Sequence, residues 1–226
     1  MKDEPAPPAL PALFPAHFFR RQDESPDALF YRAPRFVTHI DDATITALTA
    51  CYRDMVPAGA DVLDLMSSWI SHLPEDVAYG RVAGLGMNGD ELARNPRLAD
   101  YVVHDLNVAP ELPYADASFD VVLNAVSVQY LTRPVAVFAS IRRVLRPGGL
   151  ALVACSHRMF PTKAVAVWQA LPPAERVRLV ASYFALAGGF DEPRLIDRSP
   201  PDGDPLWVIS ARRATARTAE RAGSPP

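Results

Sequence analysis

The chain has 226 residues, 49% of them hydrophobic, which is enough for one full-sized domain with its own core. Its formal charge of -3 excludes a general nucleic-acid binder, which needs a basic surface. Two cysteines, Cys51 and Cys155, fit no metal or redox spacing and read as buried free thiols of a reducing cytoplasm.

The start of the chain, Met1-Lys2-Asp3-Glu4-Pro5, carries acidic residues where a secretory signal has positive charge. No apolar run reaches the length of a membrane-spanning helix. The expectation is a cytoplasmic protein with no membrane partner. Residues 1–12, rich in Pro and Ala, read as a loose segment, residues 13–212 as a single domain, and residues 213–226 as a second loose segment.

Within the domain, helices and strands alternate. Asp41 or Asp42 caps a helix that carries Ile45, Leu48, Tyr52 and Met55 at helical spacing, and Pro57-Ala58-Gly59 ends it. A strand over 61–65 follows, then a short helix over 69–73 stopped by Pro74. Next come a strand over 81–87, one or two helical turns over 90–95, and a strand over 101–106. The nearly continuous apolar run 119–126 has the pattern of a parallel strand covered on both faces.

Thr132 caps the next helix, with Pro134 in its first turn and Val135, Phe138, Ile141 and Leu145 facing inward. Arg142, Arg143 and Arg146 read as its solvated face, and Pro147-Gly148-Gly149 as its end. A strand over 150–156, a short helix around Trp168 and a helix over 175–187 ending at Gly188-Gly189 follow. Strands over 194–197 and 206–211 form an antiparallel hairpin across the turn-rich segment 200–205. Repeated β-α-β units with a closing hairpin predict a doubly wound, mostly parallel α/β sheet.

The functional signal starts at Val62-Leu63-Asp64-Leu65, a buried strand ending beside an acid, which runs into Met66-Ser67-Ser68-Trp69. Such loops are usually glycine-rich because backbone must approach a ligand closely. Here residues 61–79 contain no glycine.

Two further blocks carry a resemblance. One runs from Asp105 through Leu112-Pro113-Tyr114-Ala115-Asp116-Ala117-Ser118-Phe119-Asp120-Val121-Val122. The other is Arg143-Val144-Leu145-Arg146-Pro147-Gly148-Gly149. Together they resemble the class I S-adenosylmethionine-dependent methyltransferases of the small-molecule branch called type 11, over about residues 58–156. The resemblance implies a Rossmann-like sheet of seven strands whose last strand is antiparallel. It also implies S-adenosylmethionine (SAM) as methyl donor, a small-molecule acceptor, and no metal.

Position by position, the resemblance makes Asp64 the acid after the first strand and puts Met66, Ser68 and Ile70 where a Gly-x-Gly pattern alternates. The hydroxyls of Ser67 and Ser68 then face the donor. The ribose-binding acid after the second strand is missing near Gly86, which leaves Asn88, or Glu91 reaching back, in its place. Asp105 and Leu106 match the adenine end, and 124–130, from Asn124 to Tyr130, the segment facing donor and acceptor. An N-terminal segment folded over the cofactor brings in Tyr31 and His39.

His157, directly after the fifth strand, is the best-placed general base, with Arg158 and Lys163 to hold an acidic substrate. His72 follows the unusual loop. Each residue also has a structural alternative: Asp64 as a turn residue, Asn88 as a helix cap, Asp116 and Asp120 as turn and strand-start residues, and the histidines as surface groups. Two functions remain open on these residues. One is methyl transfer to a small molecule; the other is an inactive or repurposed methyltransferase-like domain that binds another ligand or a protein.

Overall fold

The computed structural model describes residues 14–215. Its strands are β1 (Val62–Leu65), β2 (Val82–Gly86), β3 (Asp100–Val103), β4 (Phe119–Ala125), β5 (Leu145–Cys155), β6 (Arg194–Asp197) and β7 (Trp207–Arg212). They form one sheet in the order β3-β2-β1-β4-β5-β7-β6, in which β7 is antiparallel to both neighbours and the other pairings are parallel. The expected fold class is therefore present. From β1 the chain builds outward to β3, then returns to β1's other edge with β4. That reversal opens a crevice at the C-terminal ends of β1 and β4.

Alternate residues of the central strands feed two separate cores, as the two-residue period of a strand requires. Leu63, Leu65, Val122, Ala151 and Val153 pack on one face. Val62, Val121, Leu123, Leu150 and Leu152 pack on the other. The first face is covered by helices α4 (Pro134–Val144) and α6 (Pro173–Ala187), whose Phe138 and Phe184 rings meet edge-on at 4.7 Å. The second is covered by α2 (Asp42–Met55) through Leu48, Cys51 and Tyr52. Asp41 caps α2 by accepting the Thr44 N–H. Three short α-helices, α1 (Asp27–Phe30), α3 (Gly89–Ala93) and α5 (Ala166–Ala170), and two 3-10 turns, Ala16–Phe19 and Val128–Tyr130, complete the described residues. No helix among them is long and apolar enough to cross a membrane.

Several local expectations are corrected. Residues 69–73 form no helix. Their groups are drawn to separate tertiary partners: the Trp69 indole donates to Val37 O, Ser71 Oγ to Asp64, and His72 adopts a left-handed φ of 55°. Thr132 does not cap α4, because its N–H and hydroxyl both donate to Asn107 Oδ1. Leu145 begins β5 rather than ending α4, since it pairs with Phe119.

The three arginines expected on a solvated face are tied down instead. Arg142 donates to the Ala187 and Gly188 carbonyls, Arg143 to the Leu112 and Tyr114 carbonyls, and Arg146 to Asp61. Structure also continues to Arg213, whose N–H donates to Gly149 O. The expected loose segment 1–12, and 216–226 of the other, lie outside the described residues. Cys51 and Cys155 are buried free thiols, and burial pushes the Cys155 thiol up to about 12.

Candidate active site

The loop after β1 turns at Met66, whose φ of 58° is left-handed. A side chain in that conformation costs about 1 kcal/mol relative to glycine. The turn brings the Ser67 N–H onto Leu85 O at 2.8 Å, extending the ladder to β2. On β2 the facing residue is Gly86, where a Cβ would overlap Ser67 O. The glycine that close approach demands is thus present, but on the neighbouring strand. Asp64 is 3% exposed, and its Oδ2 accepts both Ser67 Oγ and Ser71 Oγ at 2.6 Å. Burial pushes its carboxyl up to about 6, against the lowering by the two hydroxyls.

Beside this loop, Asn88 caps α3 by accepting the Asp90 and Glu91 N–H groups. Its amide also donates to the Tyr31 and Arg32 carbonyls at 2.9 and 3.1 Å. Glu91 accepts the Arg35 N–H and the Ser68 hydroxyl, both at 2.6 Å. These bonds, with Trp69 on Val37 O, fasten residues 31–37 as a strap across the ends of β1 and β2. After β3, Asp105 closes a turn by accepting the Asn107 N–H at 2.9 Å. Asn107 then donates to Asp27 and Tyr130 O.

These groups surround a cavity of about 130 Å³ at the sheet's reversal, beneath the strap. Of the residues proposed for the donor, Asp64, Ser67, Ser68, Asn88, Asp105 and Leu106 line it; Tyr31, His39 and Tyr130 line it from the acceptor set. Asn124 is buried just short of it, with its amide on Leu65 O at 3.3 Å. His157, Arg158 and Lys163 are not brought to the cavity. His157 Nε2 lies 3.0 Å from Asp204 Oδ1, and Arg158 Nε donates to Asp204 Oδ2. Lys163 is fully buried between Asp23 and Asp27, each at 3.2 Å, and donates to Ser25 O. It is therefore shut off from any substrate.

Trp69, the bulkiest side chain of the loop, does not line the cavity. Met66 does, while also packing on the core beneath β1. Ser127, within the matched segment 124–130, lines the cavity, as do Arg35, His104 and Phe160, which the sequence did not single out. Arg35 sits in the dense polar-aromatic stretch 31–41, which was the available signal. His72 lines it too. Its Nδ1 is buried with no hydrogen-bond partner, and burial pushes the imidazole down to about 4.

Residues 73–153 match the family model for a methyltransferase domain. Over that stretch the chain resembles methyltransferase domains, and its seven-stranded sheet has the class I methyltransferase fold. No curated protein matches the sequence. Among solved structures, the cyclase SpnF is similar at a TM-score of 0.60 and 17% identity, over 82% of this chain and 90% of that one. An S-adenosylmethionine dependent methyltransferase from Mesorhizobium loti is similar at 0.53 and 18%, over 74% and 98%. Phosphoethanolamine N-methyltransferase 2 of Haemonchus contortus, in complex with S-adenosyl-L-methionine, is similar at 0.55 and 16%, over 75% and 52%. At these identities the structural likenesses show the methyltransferase fold and leave chemistry to the site.

Proposed function

We propose that this domain transfers a methyl group from SAM to a small-molecule acceptor. The observation that supports it is the cavity at the sheet's reversal, where six residues matched to the donor by resemblance meet on separate loops. The donor fits the groups present. Its sulfonium is a cation, and the cavity wall carries the acids Asp64, Glu91 and Asp105. Ser127 Oγ, buried without a partner, offers a further polar contact. We take the protein as cytoplasmic, in keeping with its buried free thiols, and as acting on small molecules rather than nucleic acid, in keeping with its net charge of -3.

Bound SAM supplies an electrophilic methyl on a positively charged sulfur. Asp64 provides charge opposite to that sulfonium, and a bound cation favours its ionised form. Tyr31, Tyr130 and Phe160 wall the cavity and hold an acceptor in line, and such positioning supplies much of the rate. His72 is neutral at pH 7 and presents an unpartnered Nδ1. It is a weak base, yet the oxygen of an acceptor hydroxyl becomes strongly acidic as it gains a methyl group. A weak base then suffices to take the proton.

The test is isothermal titration with SAM and S-adenosylhomocysteine (SAH). Micromolar binding is expected, and no binding of either at millimolar ligand overturns the proposal. A second reading, a repurposed domain, is favoured by one observation: the loop hydroxyls and Asn88 are already engaged within the protein. Tight SAH binding with no methyl transfer to any acceptor in a broad screen would favour that reading.

A further inference from the structure

Among the described residues, Arg35 is the one arginine or lysine that lines the cavity. Its guanidinium is held from one side. Nη2 donates to Phe30 O at 2.8 Å, and the group lies over the Phe30 ring, 4.5 Å from its centroid. Nη1 is buried and has no hydrogen-bond partner. Among the described residues no carboxylate pairs with this guanidinium, whereas nearby Arg21 has both oxygens of Asp27. Arginine stays charged in proteins, and a guanidinium partly withdrawn from water without a counter-charge is costly. A free donor on such a group at a cavity wall marks where a ligand's anion completes the pair.

The location separates this point from the donor's polar contacts. Asp64, Asn88 and Asp105 lie at the ends of β1 to β3. The Arg35 guanidinium lies 5.6 Å from the Phe160 ring, which follows β5 and stacks at 5.9 Å on Tyr130, which follows β4. That is the acceptor side of the reversal. The walls there, Tyr31, Tyr130 and Phe160, are flat and aromatic. They suit a planar body by stacking.

We infer that the acceptor is a small, flat carboxylic acid whose carboxylate is bound by Arg35 Nη1. The inference rests on the methyl-transfer reading, and deepens it by naming the substrate class.

The experiment is isothermal titration of the full chain, with and without SAH, using matched acid and alcohol probes. Suitable pairs are 4-hydroxybenzoate with 4-hydroxybenzyl alcohol, and 4-hydroxycinnamate with 4-hydroxycinnamyl alcohol. The acids are expected to bind at least about tenfold tighter than the alcohols. Arg35→Gln should abolish that preference and Arg35→Lys restore part of it, while alcohol affinity moves less than about threefold. Equal binding of acid and alcohol to the unaltered protein overturns the inference. So does equal weakening of both by Arg35→Gln, which would make Arg35 a strap clamp only. A tenfold loss of SAH affinity in Arg35→Gln with acid binding intact also overturns it, since the anion is then the donor's own carboxylate. Failure of SAH to bind the unaltered protein sinks the methyl-donor reading by itself; the acid preference without SAH still decides this one.

Discussion

Asp64→Asn should make the ligand-free protein more stable as pH rises, relative to the unaltered chain. In the unfolded chain the Asp64 carboxyl titrates near its ordinary 3.8, and in the folded protein near about 6. Between those values the folded chain keeps a proton that the unfolded chain has released. Raising the pH therefore favours unfolding, and the loss is nearly complete about one unit above the folded value, near about pH 7. The full effect is about 3 kcal/mol, of which about 1.5 kcal/mol develops between about pH 5 and about pH 8. Asparagine has no such proton to lose. Its amide oxygen can accept the Ser67 and Ser71 hydroxyls as Oδ2 does, and any penalty for the buried NH₂ is independent of pH. The difference between the two proteins should thus grow by about 1.5 kcal/mol across that range and flatten above about pH 7. Urea denaturation at a series of pH values measures it, with the slope against urea unchanged. A difference that is flat with pH would refute the argument, because Asp64 would then ionise normally despite its burial. Under the proposed function the same substitution should weaken SAM binding, since it removes the charge that would oppose the sulfonium.

Three further expectations concern the loop and the histidines. Met66→Gly relieves the left-handed strain but loses partly buried side-chain area, so stability should fall by about 1–2 kcal/mol. Because Met66 lines the cavity, the same change should raise SAH affinity severalfold by calorimetry; unchanged affinity would show that Met66 does not restrict the site. Gly86→Ala places a methyl group on Ser67 O and should cost about 2 kcal/mol or more in urea denaturation, with loss of SAH binding. His157→Ala should leave kcat/KM within about twofold, since its partner is Asp204 outside the cavity, whereas His72→Gln should lower kcat about a hundredfold. The reverse ranking in steady-state kinetics would return the base role to His157.

What was legible in the sequence follows from the range of the forces involved. The central strands were legible because β4 is a nearly continuous apolar run and residues 150–155 of β5 an unbroken one, the pattern of strands covered on both faces. Asn88 was legible as a cap from its neighbours, but its second role, holding Tyr31 and Arg32, depends on residues more than fifty positions away. Lys163 looked free for substrate because its neutralising carboxylates, Asp23 and Asp27, lie far away in sequence, near the start of the described residues. Residues 69–73 looked helical because local propensity is weak against the separate tertiary partners that hold them.

The glycine-less loop is the clearest case. Close approach of two backbones needs one of them to lack a Cβ, and nothing in that requirement says which. A search along the loop for glycine assumes that the loop itself gives way. Here Met66 takes the left-handed turn and Gly86 makes the room, so the same geometry is reached with the glycine on the opposite strand. Gly86 was visible in the sequence as the position where the ribose-binding acid is missing. The structure gives that absence a physical cause: an acidic side chain at 86 would start from a Cβ that overlaps Ser67 O. The displaced glycine and the missing acid are therefore one substitution, and the acids that line the cavity at the ends of these strands are Asp64 within β1, Glu91 on α3 and Asp105 after β3.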